Sequence, residues 1–149
     1  MISKILVPTD GSKTAKKAAL YTIDLAKQLN ASVIVLSVVD RRSLISKTIP
    51  AERNPRHVIQ TIDDYLREAA ERNVGEIKSL CDKNDVPSTT VVTTGHPVEE
   101  IMKVAKKSKV NLIVMGSQGR SLLAAAVLGS VTYGVIHDNT KIPVLVVRK

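Results

Sequence analysis

The sequence predicts a three-layer α/β domain, a parallel sheet with helices on both faces. Two patterns point there. Short runs of Val, Ile and Leu with little polar alternation recur along the 149-residue chain, as expected of strands buried on both faces. Between them lie segments with apolar residues at a 3.6-residue period. Strands and helices in alternation build such layers through right-handed crossovers, and the length fits one compact domain over residues 1–149.

The elements follow in order. KILVP, residues 4–8, is the first strand. Residues 14–29 form the first helix, with Ala15, Ala18, Ala19, Thr22, Leu25, Ala26 and Leu29 on one stripe and Ser12 placed as its cap. SVIVLSVV, residues 32–39, is the second strand. Residues 40–56, DRRSLISKTIPAERNPR, have no clean period, carry two prolines and cluster Arg and Lys; they read as a flexible connection, either a surface excursion or a lid. Residues 55–84 form a longer helix that aligns Val58, Ile62, Leu66, Ala69, Val74, Ile77 and Leu80. TTVVTT, residues 89–94, is the third strand. The third helix, 97–108, opens with Pro97 and places Glu99 and Glu100 in its first turn, where negative charge suits the helix dipole. NLIVMG, 111–116, a helix over about 130–137, and PVLVVRK, 143–149, complete the chain.

Composition narrows the function. The net charge of +8 is uneven: residues 1–50 hold 8 basic and 3 acidic groups, 51–100 hold 6 and 10, and 101–149 hold 8 and 1. A basic excess suits nucleic acid, a membrane surface or a polyanionic small ligand. With no Phe, no Trp and three Tyr, the chain lacks the aromatic platforms of single-strand binders, so a phosphate-rich small molecule is favoured over nucleic acid. No apolar stretch approaches a membrane span, and the short apolar run at the start is no signal-peptide core, so a cytoplasmic protein without membrane contact is expected. Cys81, the one cysteine, reads as a small core residue. His57, His96 and His137 lack metal-ligand spacing.

The chemistry lies at strand ends. In an open parallel sheet, ligands bind beyond the carboxyl ends of strands where successive crossovers leave on opposite faces. The first strand ends in PTDGS and the fourth in MGSQG, so these loops meet in such a crevice if the two strands are neighbours. Glycine permits close approach and positive φ, letting backbone N–H groups point at an anion; Gly116 and Gly119 suit that role. Ser130 follows Gly129 at a helix start, whose unpaired amides and positive dipole end attract phosphate. Glycines also shape turns and caps, and the spacing is neither a P-loop nor the dinucleotide fingerprint. Asp10 has a second reading as a cap of the turn or of the first helix, with the ligand role favoured by its place at the strand end; Thr9 and Ser130 have local capping as theirs, and Val38 and Met115 are ordinary core types.

Gly116-x2-Gly119-x9-Gly129-Ser130 resembles the nucleotide-binding signature of the universal stress protein family, as do KILVPTDGS, VLSVVD, GHPVEEI, VNLIVMGSQGR, LGSVTYGVI and PVLVV along the chain. The resemblance implies a Rossmann-like five-stranded parallel sheet in the order 3-2-1-4-5, and members with the glycine signature bind ATP. It implies that Pro8, Thr9 and Asp10 border the adenosine, with Asp10 accepting from ribose hydroxyls, and that Val38 bounds the adenine. Met115, Gly116, Gly119 and Arg120 then follow the ribose and phosphates, while Gly129, Ser130, Val131 and Thr132 supply amides and hydroxyls. It also implies a homodimer through the last strand, residues 143–147, with exposed strand edges inviting such association.

The function expected is therefore an ATP-binding regulatory or stress-response switch, sensed by an unidentified protein partner, with at most slow hydrolysis. Magnesium would accompany ATP through phosphate oxygens and water. The alternatives are an ATPase or nucleotidyl-transfer enzyme on the same platform and a nucleotide-independent interaction protein.

Overall fold

The computed structural model describes residues 1–40, 55–118, 128–138 and 141–148, without the side chains of 55–59. Gly119, Arg120 and most of the expected 40–56 connection lie outside the described residues.

The order of elements is β1 (Lys4–Pro8), α1 (Lys13–Leu29), β2 (Ser32–Val39), α2 (Pro55–Lys83), β3 (Ser88–Thr94), α3 (Pro97–Lys107), β4 (Leu112–Gly116), α4 (Ser130–Asp138) and β5 (Val144–Val147). The five strands form one parallel sheet in the order β3-β2-β1-β4-β5, the order and Rossmann-like class expected from the sequence.

Each face of the sheet has its own core. Ile5, Val7, Val33, Val35, Leu112 and Val114 pack with Ala18, Ala19, Ile23 and Ala26 of α1 and Val74, Ile77 and Cys81 of α2. Leu6, Ile34, Leu36, Ile113 and Met115 face the other way, toward Val98, Ile101, Met102 and Ala105 of α3 and Val135 of α4. Period-two alternation thus sorts the β-branched runs onto two faces that are both buried. The helices leaving β1 and β2 cover one face, and those leaving β3 and β4 cover the other.

Several boundaries shift for identifiable reasons. The 14–29 stripe rotates slightly: Ile23 is buried and Leu29 is 40% exposed, beside a helix end closed by Asn30 in the left-handed conformation. α2 starts at Pro55, as expected, and ends at Lys83, one residue short of the expected 84; residues 55 and 56, expected in both the helix and the connection, belong to the helix, where Pro at a first helical position loses no intrahelical bond. Asn111 precedes β4 because its side-chain Oδ1 accepts from the backbone N–H groups of Ser3 and Lys4, both at 2.8 Å. The last strand is shorter than 143–149. The amide of Ser117, just past the end of β4, donates to the Val147 carbonyl at 3.0 Å, and β4 offers no ladder beyond it.

Candidate functional site

The fold makes β1 and β4 neighbours whose helices depart on opposite faces. Their ladder covers only Ile5 with Leu112 and Leu6 with Ile113, although β1 continues to Pro8 and β4 to Gly116. The strands therefore part at their carboxyl ends, the topological switch point where open α/β sheets receive ligands.

One lip is the turn from β1 into α1. The Thr9 amide extends the ladder by donating to Leu36 C=O at 2.8 Å, which draws Thr9 down to 7% exposure. Its hydroxyl accepts from Gly11 N–H at 3.2 Å. Asp10 Oδ1 accepts from Ser12 N–H at 2.9 Å, the local turn role open to this carboxylate. Gly11 has φ +80°, a conformation that favours glycine, and a Cβ there would lie 2.7 Å from Oδ1 at the tip of the Asn73 side chain of α2. Ser12 then caps α1, its Oγ accepting from Ala15 N–H at 3.2 Å.

The other lip is the end of β4 and the start of α4. Gly116 C=O accepts from the Thr132 hydroxyl at 2.9 Å, and Ser117 C=O accepts from Gly129 N–H at 2.7 Å. The Gly129 amide and the Thr132 hydroxyl proton are thus spent on the chain itself: they fold α4 back onto β4. The first helical bond runs from Tyr133 N–H to Gly129 C=O at 2.9 Å, so the amides of Ser130, Val131 and Thr132 precede it as first-turn donors. Ser130 is exposed and Val131 half-buried.

The two lips touch. The Thr14 hydroxyl donates to the Gln118 carbonyl, and a Cβ on Gly116 would lie 3.0 Å from the Thr14 carbonyl oxygen. The missing side chain of Gly116 is therefore needed by the approach of α1 itself. Pro8, Val38 and Met115 occupy the last positions of their strands on the α3/α4 face, by alternation from Leu6, Leu36 and Ile113. Met115 is 5% exposed, while Val38 and Pro8 are half-buried.

Asn73 and Gln118 are near-site residues that sequence reasoning passed over. Nothing in the α2 period marks Asn73 as the neighbour of Gly11, and nothing in the MGSQG string marks Gln118 as a residue only 8% exposed. Among the described residues, no group of three or more His, Cys, Asp or Glu is arranged to hold a metal ion, and no helix is long and apolar enough to cross a membrane.

The model described as the universal stress protein family matches residues 1–148. The chain belongs to that family. Universal stress protein MJ0531 of Methanocaldococcus jannaschii is 36% identical over 149 residues, covering 100% of this chain and 84% of the relative. The solved structure of MJ0577, a universal stress protein of the same organism, superposes with a TM-score of 0.85 at 34% identity, covering 100% of this chain and 97% of that one. Two more distant structures share the fold: a universal stress protein in complex with cAMP, 22% identical with a TM-score of 0.61 over 99% of this chain and 97% of that one, and an Arabidopsis thaliana family member with AMP bound, 16% identical with a TM-score of 0.67 over 99% and 92%.

Proposed function

We propose that this universal stress protein binds ATP in the crevice at the carboxyl ends of β1 and β4 and acts as a nucleotide-dependent switch in a stress response. The observation that carries the proposal is the parting of β1 and β4 beyond Leu6 and Ile113, with Asp10 following one strand and the first turn of α4 folded back beside the other by the Gly129 and Thr132 hydrogen bonds. A carboxylate suits ribose hydroxyls, and first-turn amides at a positive dipole end suit phosphate oxygens. Cyclic AMP and AMP, held by two proteins of the same fold, are of the same ligand class.

In this reading Pro8, Val38 and Met115 form an apolar floor for adenosine, and Thr9 and Asp10 hold the ribose side. Ser130, Val131 and Thr132 offer amides to the phosphates. Gly129 and Thr132 also hold the helix in place. Gly119 and Arg120 enter from the sequence motif alone, Arg120 as a cation beside the phosphates. Magnesium arrives with the triphosphate, held by phosphate oxygens and water.

Nucleotide that binds only the folded chain stabilises it by about 2.7 kcal/mol at a hundredfold excess over Kd. Switching requires different affinities for two conformers or assembly states. The proposal includes a cytoplasmic homodimer paired through residues 143–147, because β5 ends the sheet on one side and an open edge invites a second strand. Light scattering at micromolar concentration checks this part, with a dimer mass expected and a monomer mass against it. Titration of nucleotide-free protein with ATP, ADP and AMP checks the ligand. Saturable ATP binding without rapid turnover supports the switch, whereas rapid turnover with a second substrate points to an ATPase or nucleotidyl-transfer enzyme.

A further inference from the structure

We infer that Gly134, a glycine outside the Gly116-Gly119-Gly129 signature, is a positioning residue that seats α4 so that its first-turn amides reach the phosphate chain. The inference rests on the reading of α4 as the phosphate-facing helix and adds to it the contact that sets the helix's place. Gly134 lies in the interior of α4, where alanine is the better helix former. A Cβ there would lie 2.6 Å from Val98 Cγ2 and 3.4 Å from Cγ1. Val98 opens α3 behind Pro97, is 8% exposed, and is stiff about χ1, so it has little room to swing aside. Alanine at 134 must push α4 away from α3.

That push is transmitted to the site because α4 is short and pinned on its other side. Gly129 N–H holds the Ser117 carbonyl at 2.7 Å, and the Thr132 hydroxyl holds the Gly116 carbonyl at 2.9 Å. Val135, fully buried one residue beyond Gly134, anchors the helix in the core that it shares with α3. The first turn sits between these contacts, so relieving an overlap at 134 moves the Ser130, Val131 and Thr132 amides relative to β4. Ligand groups held by hydrogen bonds tolerate displacements of only about half an ångström. α4, which directly follows Gly129, carries a glycine of its own whose cost in helix propensity has no local explanation.

Calorimetric titration of the full chain with ATP and, separately, with adenosine tests the inference. G134A is expected to weaken ATP binding roughly tenfold, the equivalent of one hydrogen bond to a charged group, while adenosine affinity stays at the wild-type value. G134A/V98A, which removes the overlapping methyls, is expected to regain most of the loss. In ligand-free protein, the amide resonances of Ser130, Val131 and Thr132 should shift in G134A and return in the double variant. Wild-type ATP affinity in G134A, equal losses for ATP and adenosine, or unmoved amide resonances would each overturn the inference. Should G134A not fold, a double variant that binds ATP normally supports the overlap with Val98, and one that folds with weakened ATP binding contradicts it. A wild-type chain that binds neither ligand removes the nucleotide reading itself, a result distinct from all of these.

Discussion

Gly116, at the end of β4, lies so close to α1 that an added Cβ would stand 3.0 Å from the Thr14 carbonyl oxygen and 3.1 Å from its carbon. The contact is with backbone, which cannot rotate away as a side-chain tip can. Gly116→Ala should therefore destabilise the fold by about 1–3 kcal/mol, the usual cost of overpacking. Urea denaturation measures this, and a midpoint equal to wild type would show that α1 yields without cost.

Thr132 is 5% exposed, and its hydroxyl donates to the Gly116 carbonyl. Thr132→Val keeps the shape and removes the donor to a half-buried carbonyl, so it should cost about 0.5–1.5 kcal/mol, the net worth of a typical hydrogen bond. Thr132→Ser, which retains the hydroxyl, should lose less. Equal melting temperatures for the valine variant and wild type would contradict the pinning role.

Ser12 connects the Asp10 turn to α1 through its accepted bond from Ala15 N–H. Ser12→Ala should cost about 1 kcal/mol, the typical loss of a helix cap, and Ser12→Asp should recover much of it. Thermal unfolding of the pair distinguishes a lost cap from a general intolerance of change at this position.

Cys81 is fully buried between α2 and the sheet, and burial pushes its thiol pKa above the ordinary 9.0. The folded chain therefore holds this proton more tightly than the unfolded chain. Stability from this group is intact below the ordinary thiol pKa and falls as pH rises from there through the higher folded value. Cys81→Ala should flatten the alkaline fall in urea stability. A thiol that reacts with a disulfide reagent at pH 8 as fast as in denatured protein would contradict the burial.

Much of this was legible in the chain. Residues such as Val33 and Val35, or Ile113 and Met115, announce doubly buried strands because neither face needs polar residues, and Ser12 announces a cap because its position relative to the helical stripe leaves it no other local task. Tertiary contacts were hidden. That Gly116 clears α1, that Gly11 faces Asn73, and that Gly134 faces Val98 depend on residues far away in sequence, and glycine carries no side chain to signal what approaches it. The end of β5 was equally hidden, since Arg148 continues the run in composition but has no β4 partner to pair with. At α4, hydroxyl and amide donors near a glycine look alike in sequence whether they meet a ligand or, as with Thr132 and Gly129, their own chain.

The central claim, an ATP site between β1 and β4, is tested most directly by calorimetric titration of nucleotide-free protein with ATP and magnesium, with Gly119→Val, at the second glycine of the signature, as the comparison. Saturable binding at one site per chain, lost in the variant while its melting temperature is kept, is the result predicted. No heat of binding from a correctly folded wild-type chain, or equal binding by both proteins, would contradict it.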